Sequence, residues 1–330
     1  MARTILVTGA AGFAGSHLLD LLARDGGDVV AWRRPSTEIR AGPSTELRAG
    51  PSTKLGAGAT LARWEDVDLL AAASVRDGIA RVQPDLVYHC AGAAHVGRSW
   101  DQVESTLATN VRATHHLLEA LRRAPPSRGA TRIVIPSSAL VYASANEPLT
   151  EDHPLVPASP YGLSKLAQEL LGCRAIGDGL QVTIARAFNH FGPRQDPWFV
   201  ASGFARRIAD IEAGRWEPEI AVGNLDSRRD LTDVRDTVRA YRLILERGEP
   251  GRAYNVCSGR ALAMRELLDR MLARARVPIS VRIDPKRYRP NDVPLLVGDP
   301  GRIRDELAWT ADIPLEQTLD DILDYWRNQV

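Results

Sequence analysis

The sequence predicts a doubly wound parallel α/β sheet joined to a smaller mixed α/β lobe. Three observations predict it. Strand-length apolar runs alternate with helix-length amphipathic stretches through the first half, a glycine-spaced turn links the first run to the first helix, and after Ala187 the alternation gives way to loops rich in Pro, Arg and Gly. Strict βα alternation places helices on both faces of a parallel sheet and a ligand at the carboxyl ends of its strands.

The elements follow in order. Thr4 to Thr8, Asp28 to Trp32, Asp85 to His89, Thr131 to Pro136 and Gln181 to Ala185 are short and apolar enough for buried strands. Phe13 to Arg24, Ser74 to Val82, Trp100 to Arg123 and Pro160 to Ala175 carry the 3.6-residue apolar spacing of helices. Asp230 to Glu246 and Ala253 to Val256 look like a helix and a strand returning to the sheet, with Ala263 to Ala275 and Leu315 to Arg327 as helices of the second lobe. The expected domains are 1–185 plus about 229–258, and 186–228 plus about 259–330.

Within the first domain, Arg34-Pro-Ser-Thr-Glu-Ile-Arg-Ala-Gly42 continues into two near-copies, Pro43 to Gly50 and Pro51 to Gly58. Three short polar copies, each with Pro and Gly, cannot bury a core of their own, so 34–58 reads as a flexible surface insertion.

Composition narrows the function classes. With 42 basic and 41 acidic residues the formal charge is +1, which provides no field to gather nucleic acid or a membrane surface. The three cysteines, Cys90, Cys173 and Cys257, are far apart and odd in number, so neither a disulfide framework nor a zinc site is expected. His89, His95, His115, His116, His153 and His190 form no ligand-spaced set, and no metal is expected. Met1-Ala-Arg-Thr leads straight into a strand, leaving no room for a signal peptide, and no apolar stretch reaches the ~18 residues a membrane span needs. A cytoplasmic protein is the expectation.

Two motifs carry chemistry. Thr8-Gly-Ala-Ala-Gly-Phe-Ala-Gly15 sits between a strand and a helix, so Gly9, Gly12 and Gly15 allow a tight turn, close approach of the backbone to a pyrophosphate, and helix-on-strand packing. Phe13 and Ala14 open the helix whose N-terminus would hold that pyrophosphate. This makes the sheet Rossmann-type. The second strand ends Trp32-Arg33-Arg34 with no acid, which suits the 2'-phosphate of NADPH, with NADH the alternative. Asp68 and Leu69 are placed to meet the adenine, and Ala91, Gly92 and Ala93 supply small residues where the chain passes under the cofactor.

The second motif is Ser159-Pro-Tyr-Gly-Leu-Ser-Lys165, with Ser138 upstream in Pro136-Ser-Ser-Ala-Leu-Val-Tyr142. A four-residue helical spacing puts Tyr161 and Lys165 on one face, where an ammonium lowers a phenol's pKa from its ordinary value near 10. A phenol so tuned serves as acid or base.

On these motifs together the chain resembles the extended short-chain dehydrogenase/reductase family of NAD-dependent epimerases and dehydratases. The likeness continues in Arg186-Ala-Phe-Asn-His-Phe-Gly-Pro-Arg-Gln195, Gly223-Asn-Leu-Asp-Ser-Arg-Arg-Asp230 and Arg289-Pro-Asn-Asp-Val-Pro-Leu-Leu-Val-Gly-Asp299, which look like the GDP-sugar branch. The resemblance implies Tyr161 as proton donor, Lys165 as its pKa-lowering partner and a ribose ligand, Ser138 as donor to the reacting oxygen, and Asn110 as a brace for the active-site backbone. For the substrate it implies Asn189 at the sugar diphosphate, Arg229 and Arg289 on the phosphates, Asp292 on ribose hydroxyls, and Phe199 or Val200 beside the base. His95 and His190 are candidates for the sugar pocket. The branch's dehydratases need a carboxylate two residues after the serine; here that position is Leu140, which cannot move a proton.

The function implied is NADPH-dependent reduction of the C4 ketone of a GDP-linked 4-keto-6-deoxymannose, to GDP-D-rhamnose or its C4 epimer GDP-6-deoxy-D-talose. Nucleotide-sugar 4-epimerisation and 4,6-dehydration are the enzymatic alternatives. A non-catalytic dinucleotide sensor fits an intact Ser, Tyr and Lys set least. A homodimer through the long helices is implied as well.

Overall fold

Apolar β-branched runs bounded by glycine or by polar turns build the first unit in the order the alternation requires. In the computed structural model, residues 3–24, 27–35, 62–124, 130–288 and 293–330 are described. The first unit holds β1 (Thr4–Thr8), α1 (Phe13–Leu22), β2 (Asp28–Arg33), β3 (Arg63–Asp66), α2 (Ala72–Val82), β4 (Leu86–His89), α3 (Val96–Ser99), α4 (Val103–Leu107), α5 (Ala113–Arg123), β5 (Arg132–Ser138), α6 (Pro160–Ile176) and most of β6 (Gln181–Ala187). It comprises residues 1–141, 155–185 and 241–253. The repeat expected as a flexible insertion lies, from residue 36 onward, outside the described residues.

The remaining elements are β7 (Asn189–Phe191), α7 (Val200–Glu212), β8 (Glu219–Val222), β9 (Arg228–Asp233), α8 (Val234–Arg247), β10 (Ala253–Val256), β11 (Ala261–Ala263), α9 (Met264–Leu272), β12 (Ser280–Ile283), β13 (Leu295–Leu296), α10 (Gly301–Leu307) and α11 (Leu315–Arg327). The second unit comprises 142–154, 186–240 and 254–330.

The main sheet is parallel, with strand order β10-β6-β5-β4-β1-β2-β3. Strand order reverses between β1 and β4, and at such a switch point the connections leave in opposite directions and open a crevice. Register aligns Thr8 with His89, so the ends of β1 and β4 flank that crevice. Leu6, Val30, Val87, Ile133, Val182 and Ile184 pack the sheet into one core with Val75, Ile79, Leu117 and Leu121 of the helices.

In the second unit β9 pairs with β7, β11 and β13. Its core gathers Phe191, Ala205, Ile208, Leu267, Leu268, Met271, Leu319 and Ile322. Buried Asp230 on β9 accepts from Ser258 N at 2.7 Å, Ser258 Oγ at 2.6 Å, Gly259 N at 2.9 Å and Gly298 N at 3.3 Å. A buried carboxylate needs such donors, and these tie two loops to the strand.

Two expectations are corrected here. The helix expected from Trp100 to Arg123 is broken: α3 ends at Ser99, α4 covers Val103–Leu107, and a π-helical turn at Ala108–Arg112 precedes α5. Apolar spacing cannot reveal such a turn, because one extra residue shifts the periodicity without abolishing it. The helix expected from Asp230 starts instead at Val234, because Arg228–Asp233 forms a strand.

Candidate functional site

The glycine turn begins with Gly9 at φ +64°, the left-handed conformation that favours glycine. A Cβ there would lie 2.6 Å from the Ala91 backbone, and one at Gly15 would lie 2.3 Å from Gly9 O. The turn thus packs directly on the chain leaving β4. Gly12 occupies the N-cap of α1 with no side-chain cap, and the first turn holds no acid. The N-terminal turn of α1, with no side-chain cap at Gly12, and the positive end of the helix dipole fit a pyrophosphate, and the bare Gly12 leaves room for it.

At the end of β2, Trp32 is turned into the core at 1 % exposure and packs on Gly78. Of the three residues expected there, Trp32 therefore offers only backbone, since alternation along a strand sends its side chain to the opposite face from Arg33. Arg33 and Arg34 are exposed. Arg33 Nε donates to Asp66 at 2.6 Å and its guanidinium lies over Trp64, 5.9 Å from the ring centroid. Asp68 accepts from Leu70 N at 2.9 Å, and partly buried Leu69 packs on the sheet core, its carbonyl contacting His116 Nδ1 at 2.9 Å.

Asn110 sits in the π-helical turn, fully buried. Its Oδ1 accepts from Ala93 N at 2.7 Å, and its Nδ2 donates to Ala93 O at 3.2 Å and Ser164 Oγ at 2.8 Å. A side-chain amide that pairs with both backbone groups of one residue holds it as a neighbouring strand would. The amide therefore fixes Ala93, beside Gly92, and ties it to α6. His95 is the N-cap of α3 and is half-buried.

Helix α6 begins where local chemistry says it should. Ser159 caps it by accepting from Gly162 N at 3.0 Å, and Pro160 fills the first position, where no N–H is needed. A Cβ on Gly162 would lie 2.3 Å from Leu140 O, so glycine seats the helix against the end of β5. That seating brings Tyr161 to Ser138, whose hydroxyl hydrogen-bonds the phenol. Ser138 is 8 % exposed and also accepts from Leu140 N at 3.2 Å.

Burial raises the Tyr161 phenol above its ordinary pKa, and the Ser138 hydrogen bond opposes that rise. This departs from the expectation that the Lys165 ammonium lowers it. The cause is geometric: Lys165 Nζ donates to Pro136 O at 2.6 Å and to Gln168 Oε1 at 2.7 Å. Burial also brings the Lys165 pKa down to about 8, against the opposing pull of Glu169 and Cys90. A phenol with a raised pKa keeps its proton at neutral pH, which suits an acid.

The substrate candidates of the second unit are placed within it as follows. Asn189 is exposed and His190 half-buried on β7, with His190 Nδ1 3.2 Å from Phe188 O; burial lowers the His190 pKa. Phe199 caps α7 and Val200 begins it, 43 % exposed. Arg229 on β9 donates to Arg228 O at 3.0 Å. Arg289 and Asp292 lie outside the described residues.

Sequence reasoning missed Gln168, Thr114, His89 and Thr8, which run from Lys165 in a buried chain of hydrogen bonds. The available signal was helical spacing: Thr114 falls four residues after Asn110 and Gln168 three after Lys165. Among the described residues no group of His, Cys, Asp and Glu could hold a metal, and no helix is long and apolar enough to cross a membrane.

The comparisons agree with this geometry. Residues 6–322 match the family described as GDP-mannose 4,6 dehydratase. The GDP-6-deoxy-D-mannose reductase of Pseudomonas aeruginosa is 34 % identical over 336 residues, covering 100 % of this chain and 99 % of its own. UDP-glucose 4-epimerase 2 of Oryza sativa subsp. japonica is 30 % identical over 342 residues, covering 97 % and 80 %. Among solved structures, RMD from Pseudomonas aeruginosa complexed with NADPH superposes with a TM-score of 0.83 at 31 % identity, covering 99 % of this chain and 100 % of that one.

Proposed function

The chain belongs to the GDP-mannose 4,6-dehydratase family of extended short-chain dehydrogenases/reductases, and from that premise we propose that it reduces the C4 ketone of GDP-4-keto-6-deoxy-D-mannose with NADPH. The product is GDP-D-rhamnose or its C4 epimer GDP-6-deoxy-D-talose. The observation that carries this reading is the set at the end of β5 and the start of α6: Ser138 hydrogen-bonded to Tyr161, Lys165 one turn further along, and Leu140 two residues after the serine. The set holds a proton donor and an oxygen ligand but no carboxylate at 140 to shuttle the protons that dehydration moves.

NADPH, bound along the glycine turn, would supply the hydride. Gly12 and the N–H groups of Phe13 to Gly15 receive the pyrophosphate, and Arg33, with Arg34 beside it, receives the 2'-phosphate. Lys165 holds a ribose hydroxyl with the N–H left after Pro136 and Gln168. As negative charge develops on the C4 oxygen, Ser138 Oγ and Tyr161 Oη donate to it, and Tyr161 yields its proton. Asn189 contacts the sugar diphosphate, His95 and His190 meet the sugar, Arg229 and Arg289 the phosphates, Asp292 the ribose, and Phe199 or Val200 the base. The cofactor side of this division of labour falls on the first unit, residues 1–141, 155–185 and 241–253, and most of the nucleotide-sugar side on the second.

The test is incubation of pure protein with NADPH and the ketosugar, followed by NMR of the product. Stoichiometric NADPH oxidation with a 6-deoxy C4 alcohol is expected; no consumption overturns the reading. The likeness to a UDP-glucose 4-epimerase supports a second reading, 4-epimerisation. Stoichiometric NAD in the purified protein and epimer interconversion without added reductant would replace the first reading by the second.

The reading includes a homodimer formed through the first unit's helices. Trp100, Val103, Leu163 and Leu170 are 49, 41, 53 and 61 % exposed, and Leu163 and Leu170 lie seven residues apart on one face of α6. Light scattering of Leu170→Asp should return a monomer from a wild-type dimer.

A further inference from the structure

Lys165 is held in a buried cluster whose proton positions follow from elementary donor and acceptor counting. An ammonium only donates, so Gln168 presents Oε1 to Lys165 at 2.7 Å. Its Nε2 then donates to Thr114 Oγ1 at 2.9 Å. A carbonyl only accepts, so the single Thr114 hydroxyl proton goes to Asn110 O at 2.6 Å. Thr114 is left with lone pairs alone, and His89 Nε2, 2.8 Å away, must carry a proton to meet it. Burial keeps His89 neutral, its pKa down to about 3, so Nδ1 is bare and accepts from Thr8 Oγ1 at 2.8 Å. Every polar atom is assigned, one way round.

We infer that Gln168, its amide orientation fixed by Thr114 and the Nε2–H tautomer of His89, is a positioning residue for Lys165 and couples the ammonium to Thr8, the residue that enters the glycine turn. The inference rests on the reductase reading for its catalytic consequence and on geometry alone for the cluster. Thr8, Thr114 and Gln168 are 0 % exposed and His89 1 %, so water cannot substitute for a missing partner without opening the core. The amide sits between Lys165 and Thr114 and passes no proton, so Lys165 cannot discharge through His89. Groups facing Lys165 are Glu169 on its own helix and His89 and Cys90 at the end of β4, the Cys90 thiol pushed up to about 12 by burial. All remain when only position 168 is changed.

Three lysines occur in the chain, Lys54, Lys165 and Lys286. A [13Cε]lysine-labelled sample of the full protein thus gives three signals, and Lys165→Met assigns one. In the wild type the Lys165 signal should titrate at about 8. Gln168→Met removes a charge-assisted hydrogen bond, which lowers that midpoint by about one unit or more. Gln168→Glu keeps the acceptor and adds negative charge, and should raise it above the wild type. Thr114→Val, which frees the amide to turn, should lower it by less than Gln168→Met and serves if that variant does not fold. With NADPH and ketosugar, Gln168→Met should lose about tenfold in kcat with KM unchanged, and its activity should fall at lower pH as Lys165 deprotonates sooner. A Lys165 midpoint unmoved in Gln168→Met and Thr114→Val overturns the inference, whatever the activity. A shifted midpoint in a protein inert toward the ketosugar leaves the inference standing and overturns the reductase reading instead.

Discussion

The Lys165 ammonium donates to the carbonyl oxygen of Pro136 at 2.6 Å, two residues before Ser138. A side chain from α6 thus latches the strand end that presents Ser138, and Tyr161 is carried by the same helix one turn earlier. Position and charge are supplied by one group. Replacing Lys165 by Arg cannot reproduce this, because a guanidinium stays charged and its planar fork does not fit the space of a compact ammonium.

Tyr161→Phe should leave the fold and NADPH binding intact and lower kcat by about 10²- to 10⁴-fold, the usual range for removing a positioned acid. Stopped-flow NADPH oxidation with ketosugar measures it. Wild-type turnover in the variant would assign the proton transfer to another group.

Stability should depend on pH through Lys165. Its folded pKa, about 8, lies below the unfolded value of 10.5, so the native state is disfavoured by the buried charge below pH 8. From pH 8 to 10.5 the unfolded chain holds a proton that the native chain has released, and stability rises with pH. Relative to Lys165→Met, wild-type protein should gain on the order of 2–3 kcal/mol across that window. Urea unfolding of both proteins at pH 7.5, 9 and 10 gives the difference; a constant gap would contradict a buried ammonium.

The glycine turn separates folding from binding. Gly9→Ala forces a side chain into the Ala91 backbone at φ +64° and should destabilise by more than about 2 kcal/mol. At Gly12 the added Cβ would lie 3.1 Å from Gly9 O, a contact the turn can relieve, yet it stands where the pyrophosphate is proposed. Gly12→Ala should melt near the wild type and bind NADPH at least tenfold more weakly by fluorescence titration.

Arg33 should discriminate between the cofactors. Arg33→Ala should weaken NADPH about tenfold and leave NADH unchanged, as loss of a charged hydrogen bond to phosphate would. Asp66→Asn removes the carboxylate that now holds Arg33 and should tighten NADPH by a few-fold, to be read from paired titrations with both dinucleotides.

Much of this molecule was legible in the sequence. The first strand falls at Thr4–Thr8 as its apolar run demands, and α6 starts at Pro160 behind its Ser159 cap. Local chemistry, namely apolar period, capping hydroxyl and ring-fixed proline, determines such elements. The break at Ala108–Arg112 was not legible, because Asn110 answers to Ala93 and Ser164, residues 17 and 54 positions away. Trp32 was expected among the cofactor residues at the end of β2, whereas packing on Gly78 buries its side chain and leaves only its backbone there. Of the partners of Lys165, Pro136 was hidden because a contact between distant segments leaves no periodic trace, whereas Gln168, three residues on along α6, follows helical spacing. Among the expected substrate residues, Arg289 and Asp292 lie outside what the structure describes.

Thr8 and His89, hydrogen-bonded at 2.8 Å, are 81 residues apart in the chain, and Gln168 and Thr114 are 54 apart. A site assembled from such remote segments is an event of late folding: during synthesis, the segment through α5 leaves the ribosome with Thr114 still waiting for Gln168. The tautomer of His89 is therefore inherited from the finished topology, and its ring signals in NMR would report completion of the fold more faithfully than any local marker on β1.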